Sequence, residues 1–367
     1  MAGLSGFSYY KEITIDNAYV DADIANFPVK VSIAADADIG GECRADGFDV
    51  QFANSDNSET LTFERLPGFT VASEQATGVF YVLVPTVATA TDTVIRCYYG
   101  KAGATDVSSP ENTFLAANGW SAVWHLEEST GPYLDATSNN NDTVGGTNPT
   151  QVTGKVGKGQ DFEAGTPTFL YTASSTSLNI DADDDFTFSC WVNLESNDIT
   201  QFIIRKQLTA PYYFFGLTSG SPYCQLYDGT DATTCTNWDA ALGTGTWYHL
   251  VARCDRSESD GLQVIVNATL PAPYNSNPTS IDDLTNTTGL SIGSKTTDAD
   301  NPFDGILDEL RFSKVARPNA WIKFEYYNSK DGDLQSGYNQ LTWGAETGGG
   351  GGPADSIHLI WTKQAQI

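Results

Sequence analysis

The side chains able to do chemistry in this chain are mostly oxygen donors. Asp135, Ser138, Asn140 and Asp142 stand two or three positions apart in one stretch. Carboxylate, hydroxyl and amide oxygens gathered in a loop form the ligand set that a hard cation such as Ca2+ takes. The same residues would also serve as an Asx-type turn that caps its own backbone. Asp181, Asp183, Asp184 and Asp185 repeat the pattern, as do Asp298, Asp300 and Asp304. Catalysis is harder to assemble. A glycosidase needs two acids across one bond, roughly 5–10 Å apart. The adjacent pairs Glu127-Glu128 and Asp308-Glu309 would point to opposite faces of a strand. No G-x-S-x-G elbow, P-loop or dinucleotide fingerprint occurs. Of the three histidines, His125 and His249 lie beside tryptophans on strand patterns and read as packed or rim residues. No catalytic residue is assigned, and a non-enzymatic protein is expected.

Aromatic rings are the other candidate. Tyr212, Tyr213, Tyr223, Tyr227 and Trp238 fall in a loop-rich segment, 207–243. Exposed rings beside polar groups form a platform for a sugar, whose C–H face packs on a ring while its hydroxyls find partners. Six cysteines are present and none forms a CxxC pair, so zinc has no support. Cys224 and Cys235 flank a Gly/Thr-rich segment and could close a hairpin-like loop. Cys190 and Cys254 read as small core residues.

These groups need elements to position them, and the elements read as strands. In 7–110, Ile13/Ile15, Val29/Val31/Ile33, Phe48/Val50/Phe52, Phe80/Val82/Val84 and Val94/Arg96/Tyr98 alternate with neighbours between turn-forming clusters. Farther on, Phe186/Phe188/Cys190/Val192, Tyr248/Leu250/Ala252/Cys254 and Leu262/Val264/Val266 do the same. The segment 303–328 is the anchor. Its strand places Ile306, Asp308, Leu310 and Phe312 on one face, with Leu307, Glu309 and Arg311 on the other. Pro318 then opens a short helix carrying Trp321, Phe324 and Tyr327. On that parity Glu309 and Arg311 can pair. Asp308 falls on the parity of Leu310 and Phe312, and if inward it must accept backbone N–H bonds to survive burial. All three are expected to organise the rim. The fold class is all-β: two antiparallel β-sandwich (jelly-roll) domains in tandem, each with sheets about 10 Å apart, and a short flexible C-terminal tail. The boundaries are 1–110, a polar linker at 111–119, 120–345, and a Gly-rich tether with an apolar tail at 346–367.

Two resemblances follow from these residues. GILDELRFS followed by AWIKFEYYN, with AVWHL and DATSNNND upstream, resembles laminin-G-like, concanavalin A-type jelly-roll domains. That likeness implies a lectin-type fold, and it would place a calcium at the rim on the Asp135 loop. Glucanases of this fold carry E-x-D-x-x-E on one strand, a spacing this chain lacks. YYKEITIDN, NFPVKVSI, DGFDVQFANSD and CYYGKAGA resemble the domain of unknown function numbered 2341, which implies fold but no chemistry.

The formal net charge of -27 excludes nucleic acid as a natural partner, since few cations are available to meet phosphates. No stretch approaches the roughly 20 apolar residues of a membrane helix, and insertion is not expected. The N-terminal residues show no secretory signal. This leaves export by another route, release inside a virus particle, or a trimmed leader. The expectation is a bacteriophage virion surface protein, a capsid decoration, head-fibre or tail-fibre adhesin, with a secreted lectin or accessory carbohydrate module as the alternative. Partners would be glycans or a host surface. Other virion proteins would be reached through the N-terminal domain or by strand addition from 353–367. Homo-oligomerisation is left open.

Overall fold

The structure is a computed structural model and describes residues 4–207, 209–237, 241–269, 274–294, 300–330 and 340–348. The tail at 353–367 and Trp238 lie outside the described residues, as does Asp298. Alternating apolar residues build four sheets, and every strand pairing is antiparallel. None of the described helices is long and apolar enough to cross a membrane.

The first unit packs a four-stranded sheet on a six-stranded one. The long strands Ile24–Asp36 and Gln75–Val87 pair Val29 with Val82 and Val31 with Phe80. Phe52 meets Phe63 and Phe80 edge to face, with centroids 5.3 and 5.4 Å apart. Lys11 shares the inward parity of Ile13 yet stays satisfied, because Asp36 and Asp38 hold its ammonium at 2.7 and 2.8 Å.

The second unit stacks a seven-stranded sheet on an eight-stranded one. Trp124, Phe188, Phe215, Leu250 and Phe312 meet in one apolar core between them. Cys224 and Cys235 face each other on the neighbouring strands Ser221–Tyr227 and Ala232–Thr236, inside this core and as free thiols.

The two units share a seam rather than a linker. Strand Trp120–Trp124 is buried on both faces: Ala122 and Trp124 enter the second core, Trp120 and Val123 the first. The stretch 111–119, expected as a polar connector, carries Phe114, fully buried and stacked edge-on against Tyr81, Trp120 and His125. The closing helix Asn319–Lys330 wedges between the units. Trp321 and Phe324 lie 4.6 and 4.8 Å from Phe27 of the first unit, while Ile322 packs on Val251 and Ile265 of the second. At its end the Asn328 amide accepts from Lys30 N at 2.7 Å and donates to Lys30 O at 3.2 Å. Lys30 lies on Ile24–Asp36, the outermost strand of its sheet, so one side-chain amide stands in for a neighbouring strand.

The chain then returns to its beginning. Leu341–Trp343 and Thr347–Gly348 pair with Tyr9–Ile15, in the register Ile13 to Trp343 and Tyr9 to Gly348. Residues 340–345, expected in the second domain, and 347–348, expected in the tether, therefore complete the first unit's sheet. The cause is the open edge of Tyr9–Ile15, which Leu341 and Trp343 cover while packing on the first core.

Candidate functional site

Strands Thr200–Lys206, Tyr212–Thr218 and Ser221–Tyr227 lie side by side in the seven-stranded sheet. Their period of two sends Tyr213, Phe215, Leu217, Cys224 and Leu226 into the core. It sends Tyr212, Phe214, Tyr223 and Tyr227 to the outer face. There the rings form a continuous row: Phe202 to Phe214 at 4.9 Å, Phe214 to Tyr223 at 5.3 Å, Tyr212 to Tyr227 at 5.1 Å. The Arg205 guanidinium sits 4.4 Å over the Phe202 ring. Polar groups flank the row. Tyr212 Oη donates to Gln225 Oε1 at 3.3 Å, and Gln225 Nε2 donates to Thr234 Oγ1 at 2.7 Å. Burial pushes the Tyr223 hydroxyl up to about 12, so it remains a donor. Tyr212, Tyr223 and Tyr227 are thus brought together. Tyr213, grouped with them from the sequence, is a core residue: it is fully buried and its hydroxyl donates to Leu178 O at 2.7 Å. The parity of one strand separates it from its neighbour Tyr212.

The Asp135 loop is folded around its own aspartate. Asp135 Oδ1 accepts from Val123 N and Thr137 N, both at 2.9 Å, and Oδ2 from Thr137 Oγ1 at 2.8 Å and Asn141 N at 2.9 Å. Asp142 Oδ1 accepts from Asp135 N at 2.8 Å, and Asn140 Nδ2 donates to Ser138 O at 2.9 Å. Both Asp135 oxygens are thus engaged by N–H and O–H donors, and Ser138 and Asn140 are exposed. This donor set does not fit a calcium ion. The loop instead closes the free edge of Trp120–Trp124, where Ala136 N donates to Val123 O and Asn139 Nδ2 to Ser121 O. Burial raises the Asp135 carboxyl above its ordinary value.

At the seam the expected rim group lies deep inside. Strand Gly305–Ser313 bulges where Glu309 adopts φ 52°, and the register against Phe186–Leu194 slips there. The slip changes the parity: Leu307, expected on the opposite face, enters the second core with Leu310 and Phe312, while Asp308, expected on the face of Leu310 and Phe312, leaves it. Glu309 and Arg311 do pair, Arg311 Nη2 donating to Glu309 Oε2 at 2.7 Å. The chain of charges continues in both directions. Arg311 Nη1 reaches Glu325 Oε1 of the closing helix at 3.0 Å, and His125 Nδ1 reaches Glu309 Oε1 at 2.9 Å. His125 Nε2 then meets Glu64 Oε2 of the first unit at 3.0 Å. An imidazole with a carboxylate on each nitrogen must donate from both, so His125 is an imidazolium. Burial alone would lower its pKa, but the Glu309 and Glu64 carboxylates outweigh that and hold it well above its ordinary value. His125 and Arg311 hold the Glu309 carboxyl down at about 2 despite its burial. The Tyr81 ring stacks on His125 at 5.0 Å. Asp308 is different: Oδ2 accepts from Val156 N at 2.7 Å, Oδ1 has no hydrogen-bond partner among the described residues, and burial beside Glu309 pushes its carboxyl well up against the pull of the Val156 and Lys155 backbone N–H groups.

The comparisons with known proteins bear on both halves. Residues 168–323 match the family model of the concanavalin A-like lectin/glucanases superfamily. Residues 46–127 match a domain of unknown function, DUF2341. The second match runs past residue 110 through the buried strand Trp120–Trp124, in keeping with a seam rather than a linker. No curated protein matches. Among solved structures, the binding domain of Paraclostridial Mosquitocidal Protein 1 is similar at 14% identity and TM-score 0.48, over 57% of this chain and 52% of that one. Domain 4 of AbnA, a GH43 extracellular arabinanase from Geobacillus stearothermophilus in complex with arabinotriose, is 16% identical over 56% of this chain and 96% of that one, TM-score 0.44. The botulinum neurotoxin serotype G binding domain is 9% identical over 57% and 50%, TM-score 0.46. The chain spans about half the length of the two toxin structures.

The concanavalin A-like unit also carries groups that the sequence reading missed. Asp161 on strand Lys158–Phe162, Glu163 just past its end and Glu195 just past the end of Phe186–Leu194 bring carboxylate oxygens within 4.8 Å of one another. Glu64 and Glu325, the outer ends of the seam's ionic chain, had no local signal, because their partners lie on other elements. The acidic run at 181–185 is partly engaged: Lys314 Nζ holds Asp184 at 2.8 Å and Arg256 N donates to Asp185 Oδ1 at 2.8 Å.

Proposed function

We propose that this chain is a non-enzymatic glycan-binding surface protein, and that its concanavalin A-like unit holds a polysaccharide against the outer aromatic row of the seven-stranded sheet. The row itself carries the reading. Tyr212, Tyr223 and Tyr227 are half-buried, so each keeps part of a ring in solvent, and they line up beside Gln225 and Thr234. Sugar C–H faces gain dispersion contact on such rings, and the adjacent amide and hydroxyl groups can exchange water for sugar hydroxyls. The lectin/glucanase match over 168–323 supports the same reading.

The setting inferred is a particle surface, where a charge of -27 keeps crowded copies apart. A secreted lectin or accessory carbohydrate module is the alternative. Mass spectrometry of purified virions separates the two, and absence of the chain from them removes the viral setting. The binding itself is tested by affinity electrophoresis of the full chain through gels containing plant and bacterial polysaccharides. Retardation by at least one polymer is expected, with a large loss in Tyr212→Ala and Tyr223→Ala. Free migration of the unsubstituted chain through every gel, or variants retarded as strongly as the parent, overturns the reading.

A further inference from the structure

At one end of the concanavalin A-like unit, three loops line a half-open polar cavity of about 340 Å³. Asp183 and Asp185 come from the loop before Phe186–Leu194, Arg256 and Ser257 from the turn after Trp247–Cys254, and Thr279 and Ile281 from the loop after Asn275–Ser276. Small-molecule sites usually occupy roughly 300–1,000 Å³. This one is at the small end of that range, with room for a single sugar ring.

Its walls are braced from several directions. Arg256 Nη1 donates to the carbonyls of Ile281 at 2.6 Å and Asp282 at 3.4 Å, and Arg256 N to Asp185 Oδ1 at 2.8 Å. Thr285 Oγ1 donates to Asp181 Oδ1 at 2.8 Å, which holds the first loop against the third. Asp282 N donates to Asp228 Oδ2 at 2.8 Å, tying the cavity to the loop that follows the aromatic strand Ser221–Tyr227. A cavity held open in this way needs little reordering when a ligand enters.

The charges in the lining select the ligand. A metal ion would meet the Arg256 guanidinium, and an anion would meet two carboxylates. Arg256 commits Nη1 to the carbonyls of Ile281 and Asp282 and Nη2 to Asp181 O at 3.5 Å, and its Nε has no hydrogen-bond partner among the described residues. No hydrogen bond or ion pair engages the Asp183 carboxylate or the Thr279 hydroxyl among the described residues, and Asp185 Oδ2 is in the same position. The lining therefore has oxygen acceptors in excess over available donors, above an apolar floor of Ile281, Pro278 and Ala182. An uncharged ligand that donates several O–H groups and presents a C–H face satisfies all of these at once.

We propose that this cavity binds one neutral polyhydroxylated ring, a free or terminal monosaccharide, as a site separate from the aromatic row. The proposal goes beyond the polysaccharide reading and stands on its own lining. Saturation-transfer NMR on the full chain, titrated with the methyl glycosides of glucose, galactose, mannose and N-acetylglucosamine, tests it. At least one glycoside is expected to bind saturably. Asp183→Ala and Thr279→Val are each expected to raise its Kd about tenfold, the size of a lost hydrogen bond. Both residues are exposed, so the melting temperature should hold. Tyr212→Ala should leave monosaccharide binding unchanged. Absence of saturable transfer from all four glycosides overturns the inference, as does binding to Asp183→Ala equal to the parent. Polysaccharide retention that depends on Tyr212, without monosaccharide binding, removes this site and leaves the aromatic row. The reverse pattern removes the row and leaves the cavity.

Discussion

The two sheets of the concanavalin A-like unit have outer faces that meet different fates. On the eight-stranded sheet, Thr187, Ser189 and Trp191 point away from the core, yet all three are buried and each has a partner: Val315 O, Glu325 Oε1 and Ser329 Oγ. On the seven-stranded sheet, Tyr212, Tyr223 and Tyr227 point outward and remain half in solvent. The first face is polar and sealed, the second aromatic and open. A polar side chain buried without a partner is costly, so a covered face must be matched bond by bond. An open aromatic face needs no such matching and stays available to a ligand. In this molecule polarity on a sheet face marks the join between units, and aromatic surface marks the side turned to the outside.

The largest expected effect falls on the sealed face. His125→Ala leaves Glu64 and Glu309 facing each other without their shared cation, a loss of about 3–5 kcal/mol. Calorimetry should show the melting temperature falling by roughly 10 °C. An unchanged melting temperature would break the comparison. The same pair sets a pH dependence. The His125 pKa is raised by folding, so its contribution is complete below its ordinary value of 6.5 and is lost as pH climbs through the folded value. Glu309 is lowered to about 2, so its contribution is complete above the ordinary 4.5 and is lost as pH falls towards 2. Stability measured by denaturant titration should therefore decline at both extremes, and His125→Ala should flatten the alkaline limb.

Neighbours on one strand give the next contrast. Tyr213→Ala opens the core and should cost about 3–5 kcal/mol. Tyr212→Ala, one residue away, should cost about 1 kcal/mol or less while weakening polysaccharide retention. Equal losses of stability would show that the outer face is also sealed. Asn328→Ala should cost about 1–3 kcal/mol, read from the urea midpoint, because Lys30 N and O lose their partner at a buried edge. The smallest expected effect is that of a chelator. With the Asp135 oxygens held by four internal donors, EDTA should leave the melting temperature where it was, and a drop of several degrees would return calcium to this loop.

Much of this architecture could be read from residue alternation. The all-β class, the strands 186–194 and 247–254, and the helix behind Pro318 follow from periods of 2 and 3.6 in local sequence. Three features could not be read in that way. The bulge at Glu309 shifts one residue and so inverts the facing of Asp308, which strict alternation had placed inward. The destination of residues 341–348 depends on an unpaired edge more than 300 positions earlier. The ionic chain from Glu64 to Glu325 is assembled from four separate elements and leaves no local pattern. For the candidate site, the tyrosine types and their segment were legible, and the separation of Tyr213 from Tyr212 required the strand register.

The pairing of Leu341–Trp343 with Tyr9–Ile15 also bears on synthesis. On the ribosome, domains generally fold from the N-terminus onward. Here the sheet that holds Tyr9–Ile15 is completed by strands made more than 300 residues later, so this edge must wait, with an unprotected border, until the intervening unit has been translated. The order of manufacture and the order of completion run in opposite directions.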